Sequence, residues 1–405
     1  MKAQPFQIDV PQTVLDDLGK RLARIRWPNE VDGAGWDYGT NLAYIKELAD
    51  YWQNEYDWRK QEAKLNTFKH FKVDIEGVKI HFIHEQGKGP NPTPLLLTHG
   101  WPDSFYRFHK VIPMLTDPER FGGSAEDSFD VVVPSLPGYG FSDWPVQGSF
   151  GAEQIADLLA ELMRELGYER FAVQGGDWGG AIAEQLALRH ADALIGVHLT
   201  DVPFAHLFSL SRDNVSEAER TFLEAADAWS MTEGSYATLQ ATKPQTLAYG
   251  LNDSPVGLAA WLVEKFYTWS DHGGDLEASF SKDELLTNIM LYWVTQTIRS
   301  SFALYSAGAG NWLEDAAADW DADESTDAPA DTANGRAWGE SARVQVPTGF
   351  AVFPKDLTHP PRDYAERFFN VQHFTQMPRG GHFAALEEPK LFVQDLREFF
   401  GGLRQ

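Results

Sequence analysis

The chain has 405 residues, 43% hydrophobic and 13% aromatic, enough to bury a substantial core in one large α/β domain with an insertion or in several smaller domains. Its formal net charge of −25 at pH 7 favours solubility and works against binding nucleic acid or an anionic membrane surface. The absence of Cys removes disulfides, thiolate metal sites and cysteine nucleophiles, and fits the reducing interior of a cytoplasmic protein.

The opening stretch Met1 to Asp9 lacks the apolar segment of a signal peptide. No run approaches the ~18 apolar residues of a membrane span. Residues 1–66 read as an N-terminal helical arm. Leu15, Leu18, Leu22 and Ile25 recur at helical steps, and after a Gly/Asp-rich loop so do Leu42, Ile45, Leu48, Ala49 and Trp52. From Phe68 to Ile75 and Val78 to His84, alternation across Glu76-Gly77 predicts a β-hairpin. It carries His70, His81 and His84, but alternating faces and the lack of a carboxylate partner favour ordinary strand histidines over a metal site.

Residues 67–202 then follow a βαβ pattern. Pro94 to Thr98 reads as a buried strand ending in His99-Gly100-Trp101-Pro102, and Phe129 to Val133 as another, ending in a Pro/Gly-rich loop. A helical stripe from Ile155 to Leu166 leads into a third strand at Phe171. Leu194 to Thr200 gives one more, and the site of a mostly parallel sheet lies at the strands' C-terminal ends. Residues 203–342 read as a helical cap, with Ser254-Pro255 opening one helix and an acidic low-complexity excursion near 313–340 that lacks the spacing of a Ca²⁺ loop. Residues 343–405 return to strands at Thr348 to Phe353 and close with a helix from about Pro389.

The chemistry centres on Phe171 to Gly180, a strand, a glycine-flanked turn and an Ala/Leu-rich helix. That is the form of a nucleophile elbow, with Asp177 where serine usually stands. The structural alternative is a βα turn whose Asp caps the helix. A carboxylate nucleophile attacking an acyl carbon would give an anhydride; attacking saturated carbon, it gives an alkyl ester that water can cleave. The expected substrate therefore carries an electrophilic sp³ carbon, as in an epoxide or alkyl halide. Ester cleavage needs a base, an orienting acid and an oxyanion hole. His382 in Gly380-Gly381-His382-Phe383 and Asp356 after the strand at 348–353 follow the nucleophile in the required order. His373 and Asp363 are weaker candidates. The backbone N–H groups of Trp101 and Trp178 are the expected oxyanion donors. An opening epoxide also needs an acid, and Tyr236, Tyr249, Tyr267, Tyr292 and Tyr305 all lie in the helical insert. Composition does not choose among them.

His99-Gly100-Trp101-Pro102, Gly175 to Gly179, Pro378 to Ala385 and Leu251 to Trp261 together resemble the microsomal-type epoxide hydrolases of the α/β-hydrolase superfamily. The arm, from Pro5-Phe6 through Arg26-Trp27-Pro28 to the hairpin, is similar to that family's N-terminal region. The resemblance covers nearly the whole chain. It implies an α/β-hydrolase fold with an inserted helical cap, and hydrolysis of an epoxide to a vicinal diol without cofactor or metal. It further implies Asp177 as nucleophile, His382 as base and Asp356 as its acid, where mammalian relatives carry Glu. Tyr236 and Tyr305 fall at the family's paired tyrosines. The mammalian membrane anchor is absent, which implies a soluble form, and the acidic excursion is longer than the family needs. A small-molecule epoxide is the expected partner, and a homodimer is compatible with the resemblance. A haloalkane or haloacid dehalogenase shares the nucleophile, His and acid but not the two tyrosines. A non-catalytic ligand receptor on this fold would usually have lost part of the triad.

Overall fold

Among the described residues, nine strands form one sheet: β1 (Gln4–Phe6), β2 (His70–Ile75), β3 (Val78–Glu85), β4 (Thr93–Thr98), β5 (Phe129–Pro134), β6 (Phe171–Gly175), β7 (Leu194–Leu199), β8 (Pro347–Val352) and β9 (Asn370–Gln376). They lie side by side in the order β1-β2-β3-β5-β4-β6-β7-β8-β9. The computed structural model describes residues 3–145, 150–209, 212–307 and 342–404. The acidic excursion at 313–340 lies outside them. β1, β2 and β3 run antiparallel, β3 joins β5 antiparallel, and every pairing from β5 to β9 is parallel. Parallel strands covered on both faces need apolar side chains on both. Leu95–Leu97 and Val131–Val133 supply them and are wholly buried.

Helices Ala152–Glu165 and Trp178–Arg189 connect β5 to β6 and β6 to β7. Between β7 and β8 the described chain is helical, as the loss of strand alternation predicts. Helix Pro255–Thr268 begins where Ser254 accepts a hydrogen bond from the Gly257 N–H, with Pro255 in its first turn. Helix Lys282–Thr295 opens with a Ser281/Glu284 capping box.

The N-terminal arm departs from the wholly helical expectation. Besides helices Gln12–Leu22, Leu42–Asn54 and Trp58–Leu65, it contributes β1, with Gln4 to Phe6 paired along β2. Three residues with a central Pro give no alternation to read, and Pro is tolerated because β1 is a sheet edge. The arm grips the helical insertion. Arg21 donates to the Asp253 carbonyl at 2.7 Å, Tyr51 and Gln61 both donate to Asp283, Thr40 donates to the Ala260 carbonyl, and Trp36 stacks on Tyr267 at 3.8 Å.

The hairpin histidines are structural. His70 Nδ1 lies 2.9 Å from His81 Nε2, His70 Nε2 meets the Leu65 carbonyl, and His81 Nδ1 meets Ser135 Oγ. Every ring nitrogen of the pair thus has a partner. No group of metal-binding residues occurs among the described residues, and no helix there is long and apolar enough to cross a membrane.

Candidate active site

The turn after β6 forces an unusual backbone on Asp177, with φ at +57° and ψ at −134°. Such a conformation is costly for a residue with a side chain and persists only where its surroundings fix it. Here they do. The Asp177 N–H donates to Asp201 Oδ2 at 3.0 Å, and Thr98 Oγ1 donates to the Gln174 and Gly179 carbonyls. A Cβ on Gly179 would lie 2.2 Å from the Thr98 carbonyl oxygen, and one on Gly100 would lie 2.0 Å from Asp177 Oδ1. Both positions require glycine because other chain segments approach them so closely. The Asp177 side chain makes no capping bond to its own helix. It turns toward the loop after β4 instead, where the Trp101 N–H donates to Oδ1 at 2.8 Å. That geometry removes the capping alternative.

Burial pushes the Asp177 carboxyl up, while His382 and the Trp178 and Trp101 amides pull it down. His382 Nε2 is 3.6 Å from Asp177 Oδ2, and its Nδ1 is 2.7 Å from Asp356 Oδ1. Burial opposes a charge on His382, but Asp356 and then Asp177 outweigh it, and the imidazole is raised to about 9.

The loops that carry this pair are tied together. Lys355 bridges Gly381 and donates its N–H to the Gly380 carbonyl at 3.0 Å. The insertion also holds the histidine loop: the His382 N–H donates to the Trp269 carbonyl, and the Gly380 N–H to Asp271 Oδ2. Glu387 accepts from the Asp271 and Phe383 amides, and burial raises its carboxyl to about 7. Arg107, itself buried, donates to the His382 carbonyl and pairs with Asp103.

Tyr236 and Tyr305 converge on the walls made by the two tryptophans. Tyr236 stacks on Trp101 at 5.2 Å between ring centroids, and Tyr305 meets Trp178 edge-on at 5.0 Å. The two phenol rings are 6.0 Å apart. Burial first, and the nearby Asp177 charge with it, raises both phenols, so they stay protonated. The Tyr305 hydroxyl has no hydrogen-bond partner among the described residues. The other candidates are occupied elsewhere: Tyr249 is 71% exposed, Tyr267 stacks on Trp36, and Tyr292 donates to the Asp103 carbonyl at 2.5 Å. Asp363 accepts from Ser216, and His373 binds Asp395 together with His198. Asp177, His382, Asp356, Trp101, Trp178, Tyr236 and Tyr305 are therefore brought together, and the weaker alternatives are not.

Several site residues had no readable signal in the sequence. Asp201 lies two residues past the end of β7, and burial with the Asp356 charge raises it to about 7. Asp103, Arg107, Glu387 and Trp269 are likewise placed by tertiary contact rather than by a motif. His99 beneath the Trp101 loop accepts from the Leu136 N–H, and burial lowers it to about 3. Its neutral folded form gives stability that is full above the unfolded value of about 6.5 and is lost as pH falls toward 3. Asp201 and Glu387, raised in the fold, act in the opposite sense. The test is therefore a difference between wild type and His99→Gln in urea unfolding. Between pH 6.5 and 4.5 the wild type is expected to lose about 2–3 kcal/mol more than the variant.

A cleft of about 1420 Å³ lies between the arm's 33–39 loop and the insertion, and its wall includes Tyr236.

A family model described as "Epoxide hydrolase N terminus" matches residues 3–108, and one described as "alpha/beta hydrolase fold" matches residues 93–261. The chain is 38% identical over 426 residues to "Epoxide hydrolase 1" of Sus scrofa, covering 99% of this chain and 89% of that protein. Juvenile hormone epoxide hydrolase from the silkworm Bombyx mori superposes with a TM-score of 0.80 at 31% identity, covering 100% of this chain and 94% of the other. Aspergillus niger epoxide hydrolase does so with a TM-score of 0.82 at 28% identity, covering 100% and 97%.

Proposed function

The chain belongs to the epoxide hydrolase family of the α/β-hydrolase fold, and from that premise we propose a two-step covalent mechanism centred on Asp177. An Asp177 carboxylate oxygen attacks one epoxide carbon, the carbon–oxygen bond breaks, and the electron pair passes to the ring oxygen. Tyr236 and Tyr305 hold that oxygen, and one phenol gives it a proton, leaving a phenolate. Without that proton the leaving group would be an alkoxide. With the Asp177 charge gone, His382 gives up its own proton to solvent, and in the second step water attacks the ester carbonyl while His382 Nε2 takes its proton. The Trp101 and Trp178 N–H groups stabilise the resulting oxyanion. Collapse of this intermediate expels the diol, which takes the His382 proton. The carboxylic acid left behind returns its proton to the tyrosine phenolate, His382 regains one from solvent, and the site is restored.

Residues 203–342 act as the cap that carries both tyrosines, and 67–202 with 343–405 form the core that carries the triad. Residues 1–66 anchor the cap. The cleft beside Tyr236 is the approach for the epoxide.

The observation that carries the reading is the combination of a carboxylate at the elbow, held at 2.8 Å by the Trp101 amide, with two protonated phenols on the same aromatic wall. A halide leaving group needs no proton donor, so that combination favours the epoxide over the alkyl halide. The test is multiple turnover of styrene oxide in ¹⁸O-water. Label is expected in the peptide containing Asp177, because water oxygen enters its carboxylate each cycle. Diol formed without label there overturns the covalent mechanism.

A further inference from the structure

Lys265 takes no part in the steps above, yet it lies against one of their proton donors. It projects from helix Pro255–Thr268, is only 5% exposed, and places Nζ 4.8 Å from the Tyr236 ring centroid and 5.5 Å from that of Trp269. Its counter-ions are Glu264 at 2.6 Å and Glu233 at 3.5 Å. The lysine side chain is 7% exposed, against 22% for Glu264 and 27% for Glu233. A lysine serving only these carboxylates would keep its head in water, since burying an ammonium costs free energy. This one gives up hydration to sit at an aromatic ring.

We infer that Lys265 is a positioning residue for ring opening, whose ammonium strengthens Tyr236 as the proton donor. The phenolate formed by proton transfer is richer in electrons than the phenol, so a cation at the ring stabilises it more. Glu264 and Glu233 push the other way, each raising the Tyr236 phenol, and on this inference the ammonium against the ring opposes them. Among the described residues, the cation–ring contacts include Tyr236 but not Tyr305. The two tyrosines are therefore unequal: Tyr236 gives the proton and Tyr305 holds the oxygen by hydrogen bond.

The inference rests on Tyr236 acting as an acid, and the experiment separates the two ideas. Rapid-quench single turnovers measure formation and breakdown of the covalent ester by mass. The substrates are 1,2-epoxybutane and 3,3,3-trifluoro-1,2-epoxypropane, whose alkoxide is far less basic. Lys265→Met is expected to slow ester formation from epoxybutane about tenfold. It should slow the trifluoro substrate much less and leave ester breakdown within about twofold. Lys265→Arg should recover most of the loss. In a Tyr236→Phe background, Lys265→Met should add nothing further. Should Lys265→Met fail to fold, Glu264→Gln serves as the second variant, and it is expected to speed ester formation. Equal slowing of both epoxides, or an undiminished effect in the Tyr236→Phe background, overturns the inference, as does slower ester formation in Glu264→Gln. If Tyr236→Phe slows ester formation and Lys265→Met does not, the lysine inference alone falls. If Tyr236→Phe has no effect, the reading of the tyrosine falls and takes the inference with it.

Discussion

Asp177→Ala is expected to lower epoxide turnover by at least about 10⁴-fold and to leave no covalent adduct at any substrate concentration. The Trp101 and Trp178 amides remain in the variant, but the oxyanion they are proposed to stabilise can no longer form. The tyrosines can still bind and polarise the ring oxygen, which leaves only slow attack by free water. The loss is expected on kcat because, in the proposed mechanism, the side chain reacts with the substrate rather than holding it. The variant also changes its partner. With the Asp177 charge gone, His382 loses one of the two anions that raise it to about 9, so its pKa should fall, which imidazole titration by NMR can follow. Diol formation near the wild-type rate would remove Asp177 from the mechanism.

His382→Gln should fail at the other step. Ester formation does not use the imidazole as a base, so one equivalent of epoxide is expected to react quickly and stop. Intact-protein mass spectrometry should then show the chain heavier by one substrate molecule. Breakdown of that ester should be slower than in the wild type by about 10³–10⁴-fold. The two variants make a pair: both are nearly inactive in steady state, but only one carries an adduct. A His382→Gln protein that turned over slowly with no adduct would mean that the histidine serves ring opening, contrary to the mechanism above.

The core elements could be read from the sequence because their signals are local. Buried parallel strands are short apolar runs, the elbow is a contiguous string of glycines around one acid, and His382 sits in its own glycine-rich loop. Tyr236 and Tyr305 are singled out in the sequence by resemblance alone, since five tyrosines of the insertion are equivalent by composition. What separates them is three-dimensional: Tyr292 is taken by the Asp103 carbonyl and Tyr249 faces solvent. Arg107, Asp201 and Glu387 were not legible for the same reason. Each is an ordinary polar residue until the fold brings it against a loop far away in sequence, as when Arg107 meets the carbonyl of His382. The strand Gln4–Phe6 is not legible in the sequence because so short a segment takes its conformation from its partner β2 rather than from itself.

In the proposed mechanism, the 3.6 Å separation between His382 Nε2 and Asp177 Oδ2 sets the timing of catalysis. In the resting protein the imidazole is a cation at neutral pH, because two carboxylates hold its proton in place. In that state it cannot activate water. Esterification converts Asp177 into a neutral group, so the hold on that proton weakens in the same event that creates the ester and the proton is released to solvent. The histidine becomes a base only when there is an ester to cleave. The enzyme thus carries an interlock, in which the first reaction arms the second and water is left unactivated until then.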